Sequence, residues 1–450
     1  MQAKELYGRQ LLLTPVEAQQ LPAGTQKLPA LKVTGQQVQC LRCGSQLQRR
    51  WAQLPDHHYY CYQCLTLGRV STLTSLYHLP EPNAFTDLPS LTWDGQLTGP
   101  QTDCANRVKA AFQARQRHLL WAVTGAGKTE MLFPGLAWAL QQGLRVAVAS
   151  PRVDVCLELA PRLQAAFATT TVAVLHGRQP APYVYRQLTV CTTHQLLRFR
   201  EAFDVLVIDE VDAFPFAANP RLTYAVEHAV KPTGAVLYLT ATPSRELLQQ
   251  VKRGQLTISY LPLRFHRHLL PKIQVTLAPK WWSHLQHGKL IKPVQRWLTQ
   301  YATSGRRFLI FVPRISQLAI VQAAIQRMFP KMMGLTVYSA DPERLDKVQQ
   351  MRDQQVQYLV TTTILERGVT LPGIDVIVLG ADDAVFSTAA LVQITGRVGR
   401  SRDRPTGAVH MVCASHARHV KQAQRQINLV NRKGQRLLNE LSTLSTTANH

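Results

Sequence analysis

"WAVTGAGKTE", residues 121–130, decides the reading of the fold. An apolar run stops at Gly125-Ala126-Gly127, and Lys128, Thr129 and an acidic residue follow directly. Glycines belong where backbone N–H groups close around phosphate oxygens with no Cβ in the way. A lysine and a hydroxyl opening the next helix reach the β- and γ-phosphates and the Mg²⁺ of a bound nucleoside triphosphate. The strict pattern asks for glycine at position 122, where this chain has Ala122. A phosphate loop and a plain glycine turn both remain open on this stretch alone.

The surroundings favour the loop. From about 96 to 262, short apolar runs (HLLWAV, LRVAVASP, TVAVLH, LTVCTT, FDVLVIDE, GAVLYLTATP) alternate with helical patterns. That alternation predicts a parallel sheet wrapped by helices. FDVLVIDEVD (203–212) reads as a buried strand ending in Asp209, Glu210 and Asp212. Carboxylates at the C-terminal edge of such a sheet face the crevice where ligands bind. Asp209 is placed to hold Mg²⁺ together with Thr129, and Glu210 to polarise the attacking water. A solvated acidic strand end is the alternative.

A proline- and histidine-rich connector, LPLRFHRHLLPK (261–272), leads to a second series: RRFLIFVP, LTVYSA, VQYLVTTT, IDVIVLG and AVHMVCA. Two α/β layers on a short linker predict a cleft between them. In QITGRVGRS (393–401), Arg397 and Arg400 are three apart and so neighbours on a helix or tight turn. They are candidates for neutralising charge on a departing γ-phosphate. We expect three regions: 1–95 with a cysteine-rich module, 96–262 with the phosphate loop and DEVD, and 263–450 with the arginines. The prolines of HLPEPNAFTDLPS (78–90) mark a linker.

The chain has 51 Lys+Arg against 27 Asp+Glu, a net charge of +24. From Arg264 onward there are 26 basic and 10 acidic residues, so 16 of the 24 excess charges lie there. A polyanion, nucleic acid or an anionic membrane surface, is the expected partner. Arg418, Lys421, Arg425 and Arg432 fall at helical spacing opposite Val420, Ala423, Ile427 and Val430, which predicts a helix with one basic and one apolar face. Trp281, Trp282 and Trp297 lie among basic residues in 280–297 and are read either as base-stacking platforms or as anchors of a helix in the second core. No run approaches a membrane span and none near the start is long enough for a secretory signal, so a cytoplasmic location is expected.

Cys40-Leu-Arg-Cys43 and Cys61-Tyr-Gln-Cys64 enclose 17 residues, the spacing of two cysteine knuckles sharing one tetrahedral Zn²⁺. Four thiolates close the shell, which argues for a structural metal. Arg42, Arg49, Arg50 and Trp51 beside it suggest a DNA or protein contact.

The order TGAGKTE, SPR (150–152), DEVD, TATPS (240–244), TTTILERGVT (361–370) and QITGRVGR resembles the ordered motifs of superfamily-2 helicases. The resemblance implies two tandem RecA-like domains with ATP between them. It further implies that Gln101 reads the adenine, that Thr240 and Thr242 couple hydrolysis to the DNA site, and that Glu366, Arg367 and Gly368 join Gly125, Ala126, Gly127, Lys128 and Thr129 in nucleotide binding. Ser150, Arg152, Thr192 and Thr193 match places where that superfamily grips a nucleic-acid backbone. With the four-cysteine module ahead of the motor, the chain resembles the ComFA family of late-competence ATPases. That resemblance implies a motor driven by single-stranded DNA, working with other competence proteins and the DNA-uptake channel at the inner face of the cell membrane. A primosome-type replication-restart helicase, an RNA helicase of the DEAD-box kind and a non-enzymatic zinc-ribbon nucleic-acid binder remain alternatives.

Overall fold

The structure, a computed structural model, describes residues 1–86, 89–177 and 183–447, with side chains as far as 443. Residues 87 and 88 of the expected linker lie outside the described residues. The chain divides into two compact units, 1–121 with 128–260, and 122–127 with 261–450.

The first unit opens with six short strands: β1 (Leu11–Leu13), β2 (Gln26–Pro29), β3 (Leu31–Thr34), β4 (Gln37–Cys40), β5 (Gln46–Gln48) and β6 (Ser75–His78). They make two small antiparallel sheets, β1-β6-β2 and β3-β4-β5. The motor sheet follows with β7 (Arg117–Ala122), β8 (Val146–Ser150), β9 (Val172–Leu175), β10 (Leu188–Thr192), β11 (Phe203–Ile208), β12 (Val230–Thr240) and β13 (Thr257–Leu261). Their order is β13-β7-β12-β11-β8-β10-β9, and every pairing from β7 to β9 is parallel. Helices α1 (Gly99–Gln113), α2 (Lys128–Gln141), α3 (Val153–Ala166), α4 (Pro220–Ala229) and α5 (Arg245–Lys252) make the connections and flanks. β8, β10 and β11 are buried at every residue, as strands covered on both faces must be.

The second unit holds β14 (Ile273–Leu277), β15 (Arg307–Phe311), β16 (Gly334–Val337), β17 (Tyr358–Thr361), β18 (Ile374–Leu379) and β19 (Val409–Cys413). They form one parallel sheet in the order β14-β19-β18-β15-β17-β16. Helices α6 (Trp281–Gln286), α7 (Lys292–Ser304), α8 (Leu318–Met328), α9 (Arg344–Arg352), α10 (Thr388–Thr395) and α11 (Arg418–Thr447) complete it. The fold is therefore α/β, with two tandem RecA-like parallel-sheet domains and a small four-cysteine module. Among the described residues no helix is long and apolar enough to cross a membrane.

The N-terminal region is fastened to the first motor sheet through Arg145, which is fully buried just before β8. Its guanidinium pairs with the equally buried Glu81, donates to the Tyr7 carbonyl at 2.9 Å and donates to the Tyr183 hydroxyl. Tyr185 lies under the same group, 4.8 Å away, and donates its hydroxyl to Glu81. Removing one partner of a buried pair strands the other charge, at a cost of about 3–5 kcal/mol. Glu81→Ala should therefore lower the free energy of unfolding by an amount of that order, read as a fall in the urea midpoint at unchanged slope, and an unchanged midpoint would show that the pair is not what fastens this region.

Candidate nucleotide site and metal centre

Parallel strands all end on one edge of their sheet, and in the first unit that edge collects the motifs. β7 runs into TGAGKT, β11 into DEVD, β12 into TATPS, β8 into SPR and β10 into Thr193-His194. Gly125 and Gly127 adopt φ of +79° and +77°, a left-handed backbone that a Cβ would strain. Lys128 begins α2, so the helix N-terminus opens where the glycine turn ends, with Thr129 buried in its first turn. Such a cradle suits the phosphates of ATP.

Asp209 and Glu210 follow β11 side by side. The Glu210 N–H donates to Asp209 Oδ1 at 2.9 Å, and the Asp209 N–H bonds the Ala149 carbonyl of β8 at 2.8 Å. Glu210 has φ of +53°, rare for a residue with a side chain and the kind of strain that gathers at functional sites. Burial, then the Glu210 charge, push the Asp209 carboxyl up to about 7, although nearby Lys128 pulls the other way. Two adjacent carboxylates, one of them raised by burial, make a site that favours a nearby cation.

Asp212 carries a role that the sequence did not reveal. It accepts from the Thr240 hydroxyl at 2.7 Å and from the Thr242 hydroxyl, while the Thr242 N–H donates to Thr240 Oγ1 at 2.9 Å. DEVD and TATPS are thereby one hydrogen-bonded unit. Gln101 is buried in the first turn of α1, where its Oε1 accepts from Thr98 N–H and Oγ1, each at 2.9 Å. Thr192 stands opposite Ser150 at the ends of β10 and β8. Ser150 and Thr193 are fully buried and their hydroxyls have no hydrogen-bond partner among the described residues. Arg152 is the residue before α3 and is partly exposed.

Within the second unit, residues 122–127 pack against the connector and against GRVGR. The Val123 N–H bonds the Leu261 carbonyl at 3.1 Å, and the Phe265 N–H bonds the Gly125 carbonyl at 3.0 Å. Arg264, buried at 2% exposure, donates to the Gly399 carbonyl at 2.6 Å and the Gly396 carbonyl at 3.1 Å. Gly396 lies so near Thr124 that a Cβ there would fall 1.8 Å from Thr124 Oγ1. Arg397 is buried and donates to the Val369 carbonyl, and Arg400 Nε donates to the Gly396 carbonyl at 3.1 Å. Glu366 and Arg367 are buried and face each other at 3.6 Å, and Gly368 has φ of +67°. Arg397 thus ties ILERGVT to GRVGR. Arg264 escaped the sequence reading because nothing in its connector distinguishes it from the basic residues around it.

Of the two readings of the tryptophans, core anchoring is what the structure displays. Trp281 is 6% exposed in the second core, Trp282 packs against that core, and Trp297 stacks on His410 with ring centroids 3.9 Å apart.

The four cysteine sulfurs Cys40, Cys43, Cys61 and Cys64 lie within 4.8 Å of one another and all are buried. Cys40 and Cys64 Sγ are 3.9 Å apart, and Cys43 and Cys61 Sγ 3.8 Å. A tetrahedron with metal–sulfur bonds of about 2.3 Å has edges of about 3.8 Å, so the quartet fits Zn²⁺. Hydrogen bonds within the quartet are the largest influence on each thiol, raising Cys40 and Cys64 and lowering Cys43 and Cys61. The knuckle rests on α4: Tyr224 donates to the Leu41 carbonyl at 3.0 Å, Arg221 to the Gln63 carbonyl at 2.6 Å, and Gly44 abuts the Tyr224 ring. Of the basic residues beside it, Arg42 is buried against the Leu67 carbonyl, whereas Trp51 is 62% exposed with Arg50 over its ring.

The ComFA N-terminal domain matches residues 3–78, the type III restriction enzyme res subunit 94–245, and the helicase conserved C-terminal domain 291–402. Competence protein ComFA of Bacillus subtilis is 41% identical over 384 residues, covering 84% of this chain and 82% of that protein. ComFA of Streptococcus pneumoniae is 39% identical over 414 residues, covering 91% and 94%. The DNA helicase RecG of Staphylococcus aureus is 25% identical over 350 residues, 72% of this chain and 48% of that protein. Among solved structures, the Mycobacterium smegmatis helicase Lhr bound to single-stranded DNA and AMP-PNP superposes with TM-score 0.55 at 16% identity, covering 76% of this chain and 50% of that one. Mss116 bound to single-stranded RNA and AMP-PNP gives 0.58 at 14% identity, covering 74% and 76%; at such identities the likeness is one of fold.

Proposed function

Because the chain belongs to the ComFA competence family, we propose that it is an ATP-driven motor that advances along single-stranded DNA during uptake of transforming DNA. The observation that carries this reading is the single sheet edge on which Lys128, Asp209 and Glu210 meet, with the left-handed Gly125–Gly127 turn leading into it. Bound Mg²⁺ would supply Lewis-acid charge to the phosphates, held by Thr129 and Asp209. The N–H groups of Gly125, Ala126 and Gly127 and the Lys128 ammonium would hold the β- and γ-phosphates. Glu210 would take the proton of the attacking water, and Arg397 and Arg400 would neutralise charge growing on the γ-phosphate.

Gln101 is assigned to the adenine through its amide, and Glu366, Arg367 and Gly368 to the second-domain side of nucleotide binding. Thr240 and Thr242 are tied to Asp212, two residues beyond Glu210, which gives hydrolysis a short route to the DNA grip. That grip is assigned to Ser150, Arg152, Thr192 and Thr193. Its physical support is the strand edge that Ser150 and Thr192 share, with Thr193 and Arg152 following directly on it. Other competence proteins and the uptake channel are the proposed partners. The proposed location is the cytoplasm, with peripheral attachment at the inner face of the membrane.

The test is steady-state ATP hydrolysis by the full chain alone and with single-stranded DNA, duplex DNA or RNA, with Lys128→Ala as control. Strong stimulation by single-stranded DNA, lost in the variant, is expected. Stimulation by RNA alone overturns the uptake reading, and no hydrolysis on any nucleic acid overturns the motor.

A further inference from the structure

α11 spends its apolar residues on its own unit. Val420, Ala423, Ile427 and Val430 are each 4% exposed or less. Asn431 exchanges two hydrogen bonds with the Leu270 backbone, at 3.0 and 2.9 Å, and a Cβ on Gly434 would come within 3.1 Å of Leu269, Pro262 and Leu263. That tight seat fixes which face turns outward.

The outward face is basic. Arg418, Lys421, Arg425, Arg432 and Arg436 are exposed and fall on one stripe. At 1.5 Å per residue the stripe is about 27 Å long. Glu440 is the one acidic residue in the helix. The exposed positions interleaved with the cations include Gln422, Asn428, Gln435 and Asn439, whose amides donate to phosphate and sugar oxygens.

We propose that this face of α11 is a track for the phosphate backbone of single-stranded nucleic acid, outside the motif-lined sheet edges. Charge complementarity selects a polyanion, and the helix itself separates two sources. A membrane-surface helix needs a free apolar face to bury among acyl chains. Here that face is buried from Val420 to Val430 and half-buried at Leu437, Leu438 and Leu441, and Leu429 is the one large apolar residue of α11 exposed among the described side chains. The choice of single-stranded nucleic acid rests on the motor reading above; the existence of the track does not.

The experiment measures binding of an oligothymidylate and of anionic phosphatidylglycerol vesicles across a salt series. It compares the full chain with a variant carrying Arg418→Gln, Lys421→Gln, Arg425→Gln and Arg432→Gln. Glutamine keeps helix propensity at exposed sites. Each phosphate contact on a single strand contributes about 0.7 to the slope of log affinity against log salt, so four lost contacts flatten it by about 2–3. ATP turnover at saturating DNA should be retained, with more DNA needed to reach it. A second variant, Arg418→Lys, Arg425→Lys and Arg432→Lys, should keep the original slope. An unchanged slope in the glutamine variant overturns the proposal, as does loss of vesicle binding with DNA binding intact. A wild-type chain that hydrolyses no ATP yet shows the flattened slope would sink the motor and leave the track standing.

Discussion

The Glu210→Gln chain should turn over ATP about 10²- to 10⁴-fold more slowly than the unaltered one, the usual contribution of a positioned general base. Nucleotide and DNA binding should survive, because the substitution removes one proton acceptor and its charge while keeping the side chain's size and shape. Glu210 and Gln share size and shape, so the left-handed backbone at φ +53° and the bond from Glu210 N–H to Asp209 Oδ1 at 2.9 Å have no reason to move. Removing a charge beside Asp209 should also ease the repulsion that raises its carboxyl. Divalent-metal affinity then changes in a predictable sense: less negative charge, weaker metal. Lys128→Ala offers the contrast, since loss of the ammonium proposed to hold the phosphates should cost binding as well as turnover. The measurement is single-turnover hydrolysis with nucleotide affinity read separately by fluorescent-analogue titration. Turnover within a fewfold of normal would mean that another group activates the water, and Glu210 would then be a structural end to β11.

Much of this site was legible because its parts are local in sequence. A phosphate loop is a run of adjacent residues, and the strand before each motif announces itself as an apolar run; FDVLVIDE became Phe203–Ile208 and RRFLIFVP became Arg307–Phe311. The half-exposed edge strands Thr257–Leu261 and Ile273–Leu277 went unread, because their alternating polar residues break the run that marks a doubly covered strand. The first 95 residues read as loops and contain six strands of three or four residues. Such pieces are too short for a period to show, and they hold by packing around cysteines and on α4. Asp212 was visible as a third carboxylate, but its hold on Thr240 and Thr242 joins positions 28 and 30 apart, a relation that only a register of strands can supply. The closeness of Gly396 to Thr124 and the buried place of Arg264 are of the same long-range kind.

Stripping Zn²⁺ from the folded chain, or replacing Cys64 with serine, should melt the first unit well below the metal-loaded protein. The thiols are fully buried, and their neighbours Val38, Leu47, Ala52, Tyr59 and Val70 share one apolar cluster with Leu119, Ala147, Phe203 and Leu206 of the motor sheet. Structural zinc binds such sites with about 10–16 kcal/mol of apparent free energy, drawn upon folding. Even a third of that, roughly 4 kcal/mol, corresponds to a fall of roughly 8–16 °C in the melting midpoint of a unit this size. Four thiols crowded in a low-dielectric pocket without a cation cannot all ionise, so losing the metal forces them to take up protons. Because Tyr224 and Arg221 clasp the knuckle from α4, the loss should spread into the motor rather than stay in the module. Calorimetry of holo, chelated and Cys64→Ser protein checks this, with metal analysis expected to return one zinc per chain. A chelated chain that melts with the holo protein, or a holo chain with no bound zinc, would show that packing on α4 alone holds the module together.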